Sequence, residues 1–369
     1  MKIQTATAIK TANIIIDFFS NIDRIDDYFR LRKIERVKNL PAPIPGFGLE
    51  DDMFQNYDMH PEDMDIEVAQ IDNQTFNAML EKVASFSPDQ APGKELKLVV
   101  KEKNTNTLLG FIKLGSPIIN SNPRNNYLGD VPELTIFNQR AIMGFVIVPV
   151  QPFGYNYLGG KLMALICTSH KVREMLNDKY ETEFCLFETT SLYGNIKGMS
   201  MYDGLKPFLR FKGDTESKFV PTLGEEAYAS CKKIIEDDVQ GEIIHKDASS
   251  RKLKITTKMI SLIKSSLKET DMELHDKCVS AIKKAESVTT QKRFYMSDYG
   301  YENTRDVLLG KTETLIKGPN YHKHDLENII SWWKRKASSR YNKLKSEDRI
   351  REELEVWNAD TMNKIDIIR

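Results

Sequence analysis

The apolar positions of this chain follow two periods, helical at its ends and strand-like in its middle. Ile14, Ile15, Phe18, Phe19, Ile22, Ile25, Phe29 and Leu31 recur at near-helical spacing with charges between them, so residues 11–40 read as an amphipathic helix or helix pair. Pro41-Ala-Pro-Ile-Pro-Gly-Phe-Gly48 breaks that pattern and starts a loop. A further helix is expected over Thr75 to Ser85, capped by Asp72 or Asn73. Leu96 to Lys101 and Leu108 to Leu114 flank Asn104-Thr-Asn106 and predict a hairpin. Ala141-Ile-Met-Gly-Phe-Val-Ile-Val148 is an apolar run rich in strand formers and too short to span a membrane. Pro149 and Pro152 stop it, because proline has no N–H to give a ladder. A turn-rich loop, Phe153 to Leu162, then enters a helical pattern at Leu158, Leu162, Leu165 and Ile166. A second buried strand is expected at Phe184 to Phe187.

Beyond Gly213 the helical period returns, over Glu225 to Asp237, Ile255 to Leu267, Met272 to Ala285 and the tail from Asp325 to Ile368. Three regions are therefore drawn: helical residues 1–92, an α/β core at 93–213, and a helical, locally basic region at 214–369. The acidic run from Glu50 to Glu67 is too loosely spaced to be a metal loop and reads as a solvated face or linker. Gly115 to Gly129 reads as a long polar loop beside the sheet, and Arg293 to Tyr301 as an aromatic loop.

Composition adds bounds. At 40% hydrophobic residues the chain can build a sizeable core, and a formal net charge of zero means that only local basic patches could attract nucleic acid. Such patches occur at Arg251, Lys252, Lys254, Lys258, Lys264 and Lys268, and at Lys334, Arg335, Lys336, Arg340, Lys343 and Lys345. Either is a solvated helix face or a phosphate-binding one, with Trp332, Trp333, Tyr295 or Tyr299 available to stack on an unpaired base. Four scattered cysteines without a C-x-x-C pair suit buried reduced thiols. His322 and His324 are the only close histidine pair, so no metal site is expected. No transmembrane stretch and no secretory leader pattern is read, which predicts a cytoplasmic protein without a membrane partner, in the host cytoplasm if phage-encoded.

The order strand, glycine loop, helix, strand can present an anion site at the helix N-terminus, where free N–H groups and the helix dipole converge. This order resembles the core of the GNAT acyltransferase fold. Gln151, Gly154 and the pair Gly159-Gly160 lie where that fold's pyrophosphate loop would be. The chain also resembles the family of Druantia protein A (DruA) and, more distantly, Mom-type phage DNA-modification proteins. The resemblance rests on Leu109-Gly-Phe-Ile-Lys-Leu-Gly-Ser-Pro-Ile-Ile-Asn120, Asn138-Gln-Arg140, a strand ending in Glu188, and Gly198-x-x-x-Tyr202.

The resemblance implies an α/β (α+β) fold with a mixed, mostly antiparallel sheet flanked by helices, and helical extensions at both ends. It also implies acetyl-CoA or another acyl-CoA as cofactor, held by Val148, Gln151, Gly154, Tyr157, Gly159, Gly160 and Lys161. Tyr202 is the expected acid, Glu188 the base in its apolar surroundings, and Asn138 a cleft residue. DNA is the expected partner, met by Asn120, Arg124, Arg140, Lys334, Arg335, Lys336 and Arg340. Each has a plain alternative: Tyr202 a core tyrosine, Glu188 a turn cap, Lys161 a solvent-facing lysine, Asn120 and Arg124 loop residues bonding backbone. Three functions stay open: an acyltransferase-like protein modifying DNA or a nucleobase, a non-catalytic DNA-binding module of a defence or counter-defence system, and a GNAT enzyme acting on a protein or small amine. The oligomeric state is not legible.

Overall fold

The computed structural model describes residues 2–40, 50–86, 93–191, 193–196, 198–215, 222–244, 251–288 and 292–367. The expected loop from Pro41 to Gly48 lies outside them. The chain divides into two compact units, Met1–Asn39 with Ser217–Thr290 and Asp366–Arg369, and Leu40–Glu216 with Gln291–Ile365.

The first unit is helical. The 11–40 pattern resolves into α1 (Thr5–Ser20) and α2 (Ile25–Lys38). Later in the sequence come α10 (Glu225–Val239), α11 (Arg251–Thr270) and α12 (Met272–Ser287). α1 packs on α10, α11 and α12 through Ala8, Ala12, Ile15 and Phe19. The alanines at the first two positions let the neighbouring backbones come close. The lysines at 254, 258 and 268 of α11 stand exposed on the face opposite Ile255, Met259 and Ile263.

The second unit is a mixed α/β fold on a seven-stranded sheet of order β1-β2-β3-β4-β5-β7-β6. Its strands are β1 (Ile66–Gln70), β2 (Glu95–Glu102), β3 (Thr107–Gly115), β4 (Ala141–Pro149), β5 (Leu186–Ser191), β6 (Arg210–Asp214) and β7 (Arg293–Ser297). All neighbours are antiparallel except β4 and β5, which run parallel. Its helices are α3 (Asn73–Val83), α4 (Asn122–Leu128), α5 (Leu134–Arg140), α6 (Phe153–Asn156), α7 (Gly159–Cys167), α8 (His170–Tyr180), α9 (Tyr193–Ile196), α13 (Thr304–Leu308) and α14 (Leu326–Ser346).

Local chemistry explains most of these elements. The β2–β3 turn is held by Glu102, whose buried carboxylate accepts from Thr105 N (2.7 Å), Thr105 Oγ1 (2.8 Å) and Asp65 N (3.0 Å). Asp72 caps α3 by accepting from Thr75 N at 2.9 Å. α14 buries Ile329, Trp333, Ala337, Tyr341 and Leu344, a stripe of period about four that packs on α7 and leaves Arg335, Lys336, Lys343 and Lys345 outward.

Four readings of the sequence change, and one is the helical tail expected from Asp325 to Ile368, whose helix α14 ends at Ser346. The polar loop after β3 contains α4, started by Pro123 in its first turn and ended by Gly129 at φ 80°, both suited to helix ends. The acidic run hides β1 at its C-terminal end, where Ile66 pairs with Glu102. The aromatic loop is strand β7, inserted between β5 and β6 with Phe294 and Met296 on one face and Tyr295 on the other. Among the described residues no helix is long and apolar enough to cross a membrane.

Candidate functional site

The parallel strands separate. Ala141 to Gly144 pair with Leu186 to Thr189, and beyond that point β4 stays on β3 while Thr190 and Ser191 of β5 stay on β7. A bulge starts the divergence: Leu114 pairs with Gly144 and Lys113 with Val146, leaving Phe145 as the extra residue on β4. At the fork the Thr189 hydroxyl donates to the Gly144 carbonyl at 3.0 Å.

Tyr202 reaches this fork. Its side chain lies beside Thr189, and its ring meets Tyr295 edge-on at 5.3 Å. It is only 6% exposed, and burial pushes its phenol well above the ordinary value, so it stays protonated. The neighbouring residue Asp203 ties the surroundings together. Its carboxylate accepts from Tyr295 Oη (2.7 Å), Ser200 N (2.9 Å) and Arg293 Nη1 (3.0 Å), and its carbonyl accepts from Lys161 Nζ (2.5 Å). Burial alone would raise the Asp203 carboxyl, but the bonds from Ser200 and Tyr295 and the Arg293 charge hold it below the usual range. Asp203 is thus a fixed anion that positions its neighbours. It was not singled out from the sequence, where it is one aspartate among many.

Glu188 is elsewhere. Successive strand residues face opposite sides of a sheet, so Glu188 lies on the far face from Thr189 and Tyr202. It is fully buried against an equally buried Arg124, with Nη1 to Oε1 at 3.0 Å. Arg124 also donates to the carbonyls of Ile118 (2.9 Å) and Ile119 (2.5 Å) and lies 4.0 Å over the Phe137 ring. Desolvation lifts the Glu188 carboxyl to about 7, against the opposing pull of Arg124. The expected base is therefore sealed in an ion pair, and the expected DNA contact Arg124 is its core partner. A guanidinium so placed cannot meet a phosphate.

The cofactor residues expected from sequence divide. Gly159 and Gly160 open α7, where N–H groups have no intrahelical acceptor, and Leu158 precedes them at φ 55° without a side-chain cap. Phe153 packs on Gly159 and Met201 on Gly160. Lys161 is half-buried, and burial lowers its ammonium, with Lys336 adding to the effect. Val148, partly exposed, pairs with Phe111 on β3. Gln151 Oε1 accepts from Tyr155 N at 3.1 Å, and a side chain at Gly154 would strike the Gln151 amide. Tyr157 does not fit a ligand role: it is buried, stacks between Phe153 and Tyr341, and donates to the carbonyls of Tyr57 and Met59 at 3.0 Å.

Of the remaining candidates, Asn138 lies half-buried on α5, and its carbonyl accepts from Lys94. Asn120 is exposed between β3 and α4. Arg140 pairs with Glu183 at 3.5 Å and, with Tyr301, Glu313 and Lys317, lines a separate cleft of about 410 Å³. On α14, Arg335 and Lys336 are exposed, Lys334 donates to the Glu62 carbonyl at 2.8 Å, and Arg340 donates to the Tyr155 carbonyl at 3.1 Å. Trp333, Tyr295 and Tyr299 are core residues, so none can stack on a base; Trp332 is partly buried against Phe208.

Residues 47–200 match the family model of Druantia protein DruA. This stretch is DruA-like. It contains β1 through β5, the fork, the opening of α7 and the Arg124–Glu188 pair. Tyr202, β6, β7 and the basic face of α14 lie outside the DruA-like stretch. No curated protein and no solved structure matches the chain.

Proposed function

We propose that this protein is a GNAT-like acyltransferase that acts on DNA or a nucleobase, in a phage-defence or counter-defence setting as the DruA likeness suggests. The observation that carries this reading is the fork between β4 and β5 with the Tyr202 hydroxyl at its apex. The pantetheine of an acyl-CoA needs such a parting, because its amides can then bond strand edges that no neighbouring strand occupies. The fork fits that group, Tyr157 does not, and Phe153 and Met201 cover Gly159 and Gly160 at the opening of α7. Lys161 would meet the phosphates of that group, and when bound it supplies an activated acyl thioester. Tyr202 holds its proton at Oη at neutral pH and can donate it to a departing thiolate. Asp203 fixes Lys161, Tyr295 and Arg293 around it. The outward face of α14 supplies cations beside Lys161 for the nucleic acid.

The test is nucleoside mass spectrometry of DNA incubated with the protein and acetyl-CoA. A mass shift that falls roughly a hundredfold in rate in Tyr202→Phe is the expected result. A Tyr202→Phe protein with full activity would remove Tyr202 from the reaction. The second reading, binding without chemistry, is favoured by the burial of Glu188, which leaves Tyr202 without the carboxylate base expected from sequence. Tight binding with unmodified DNA would select it.

A further inference from the structure

Three arginines converge on one tyrosine at the end of β4. Tyr155, on α6, is half-exposed. Arg340 Cζ lies 4.6 Å from its ring centroid and Arg351 Cζ 3.8 Å, and Arg349 Nη2 donates to its hydroxyl at 3.2 Å. Two of these cations have carboxylate neighbours, Glu347 at 2.7 Å from Arg349 and Glu355 at 3.5 Å from Arg351. Arg340 has none within ion-pairing distance among the described residues, and its two terminal nitrogens have no acceptor there. Burial alone would raise the Tyr155 phenol, but its bond to Arg349 and the three positive charges bring it below the ordinary value. The ring is taken up by guanidinium groups, so it serves as a platform for them and not for a stacked base.

The cluster continues a line of cations. Lys336 is one turn before Arg340 on α14, and it sits near enough to Lys161 to depress its ammonium. From Lys336 to Arg340 is about 6 Å along a helix that rises 1.5 Å per residue. An extended polyanion matches such a line better than a single ion does, and guanidinium forks suit phosphate oxygens.

We propose that Arg340, Arg349 and Arg351, gathered on Tyr155, form a phosphodiester clamp that seats a backbone phosphate of a nucleic-acid strand. This rests on the nucleic-acid reading above. The contact is to phosphate and carries no base preference.

The test is fluorescence anisotropy of a labelled duplex against salt concentration, with the full chain. Arg349→Gln with Arg351→Gln should flatten the slope of log K on log salt by about one, for the single phosphate that is no longer neutralised. Arg349→Lys with Arg351→Lys should keep most of the slope. Glu347→Gln should tighten binding, a gain that misfolding cannot imitate. If the wild-type protein shows no salt-dependent binding, the nucleic-acid reading falls and the clamp with it. If Lys336→Gln flattens the slope but the arginine pair and Glu347→Gln change nothing, the reading stands and the clamp is refuted. Calorimetric titration with coenzyme A separates the other source of phosphate. Loss of coenzyme affinity in the Arg→Gln pair, with an unchanged duplex slope, would overturn the assignment to nucleic acid.

Discussion

Arg124→Met is the most informative single change in the sheet unit. It replaces a guanidinium by a flexible apolar chain and leaves Glu188 buried without its partner. Both side chains are fully buried, with Nη1 3.0 Å from Oε1. Breaking such a pair from one side costs about 3–5 kcal/mol. Part of this is local, because the carbonyls of Ile118 and Ile119 lose their donors, at about 1 kcal/mol each. The rest depends on pH. Burial lifts the Glu188 carboxyl from 4.5 to about 7 even with Arg124 present, about 3 kcal/mol against the ionised form. A carboxyl whose folded value lies above its unfolded one keeps a proton that the unfolded chain releases. Its contribution is therefore full below the unfolded value of 4.5 and is lost as pH rises through about 7. Without Arg124 the folded value climbs further, so the loss continues above neutrality by up to about 1.4 kcal/mol per pH unit. Urea denaturation at about pH 5 and about pH 8 should show a deficit that widens with pH. Adding Glu188→Leu should recover most of it, since an apolar pair needs no compensation. A pH-independent loss under about 1 kcal/mol, or a double variant no better than the single one, would refute the reasoning.

Trp333→Ala should cost about 3–5 kcal/mol in urea denaturation, since the ring is fully buried and its Nε1 donates to the Tyr157 carbonyl at 2.9 Å. Gly159→Ala should destabilise by about 1–3 kcal/mol in thermal melts, because the new methyl would meet Phe153 ring carbons at 2.6 Å. Gly160→Ala meets only the Met201 thioether, at 2.9 Å, which can swing away, so its melting point should stay near that of the parent. Glu102→Ala should cost about 1–3 kcal/mol, because the Thr105 and Asp65 N–H groups lose their acceptor. Burial would raise the Glu102 carboxyl, but these backbone donors hold it below its ordinary value. Its contribution is therefore present above the unfolded value of 4.5 and lost as pH falls through the lower folded one. The variant should accordingly lose less stability than the parent on acidification.

What the chain determined by itself was local. The apolar run at Ala141 to Val148 became β4, the hairpin signal around Asn104 became the β2–β3 turn, and the helical period after Asp325 became α14 as far as Ser346. Each depends on residues a few positions apart, whose spacing writes the period directly. The capping of α3 by Asp72 was legible for the same reason. The site was legible only in fragments. Tyr202 and Thr189 meet through a turn, but the fork that gives their contact meaning exists because β5 leaves β4 for β7, a strand about a hundred residues later in the chain. Arg124 and Glu188, 64 residues apart, read as a DNA contact and a base until folding closed them on each other. Tyr155 and its three arginines are likewise separated by 185 residues or more. Side chains so far apart leave no periodic trace, since what brings them together is the burial of apolar faces on the sheet and not the order of residues beside them. Tertiary packing alone decided which charges face water and which are locked in the core.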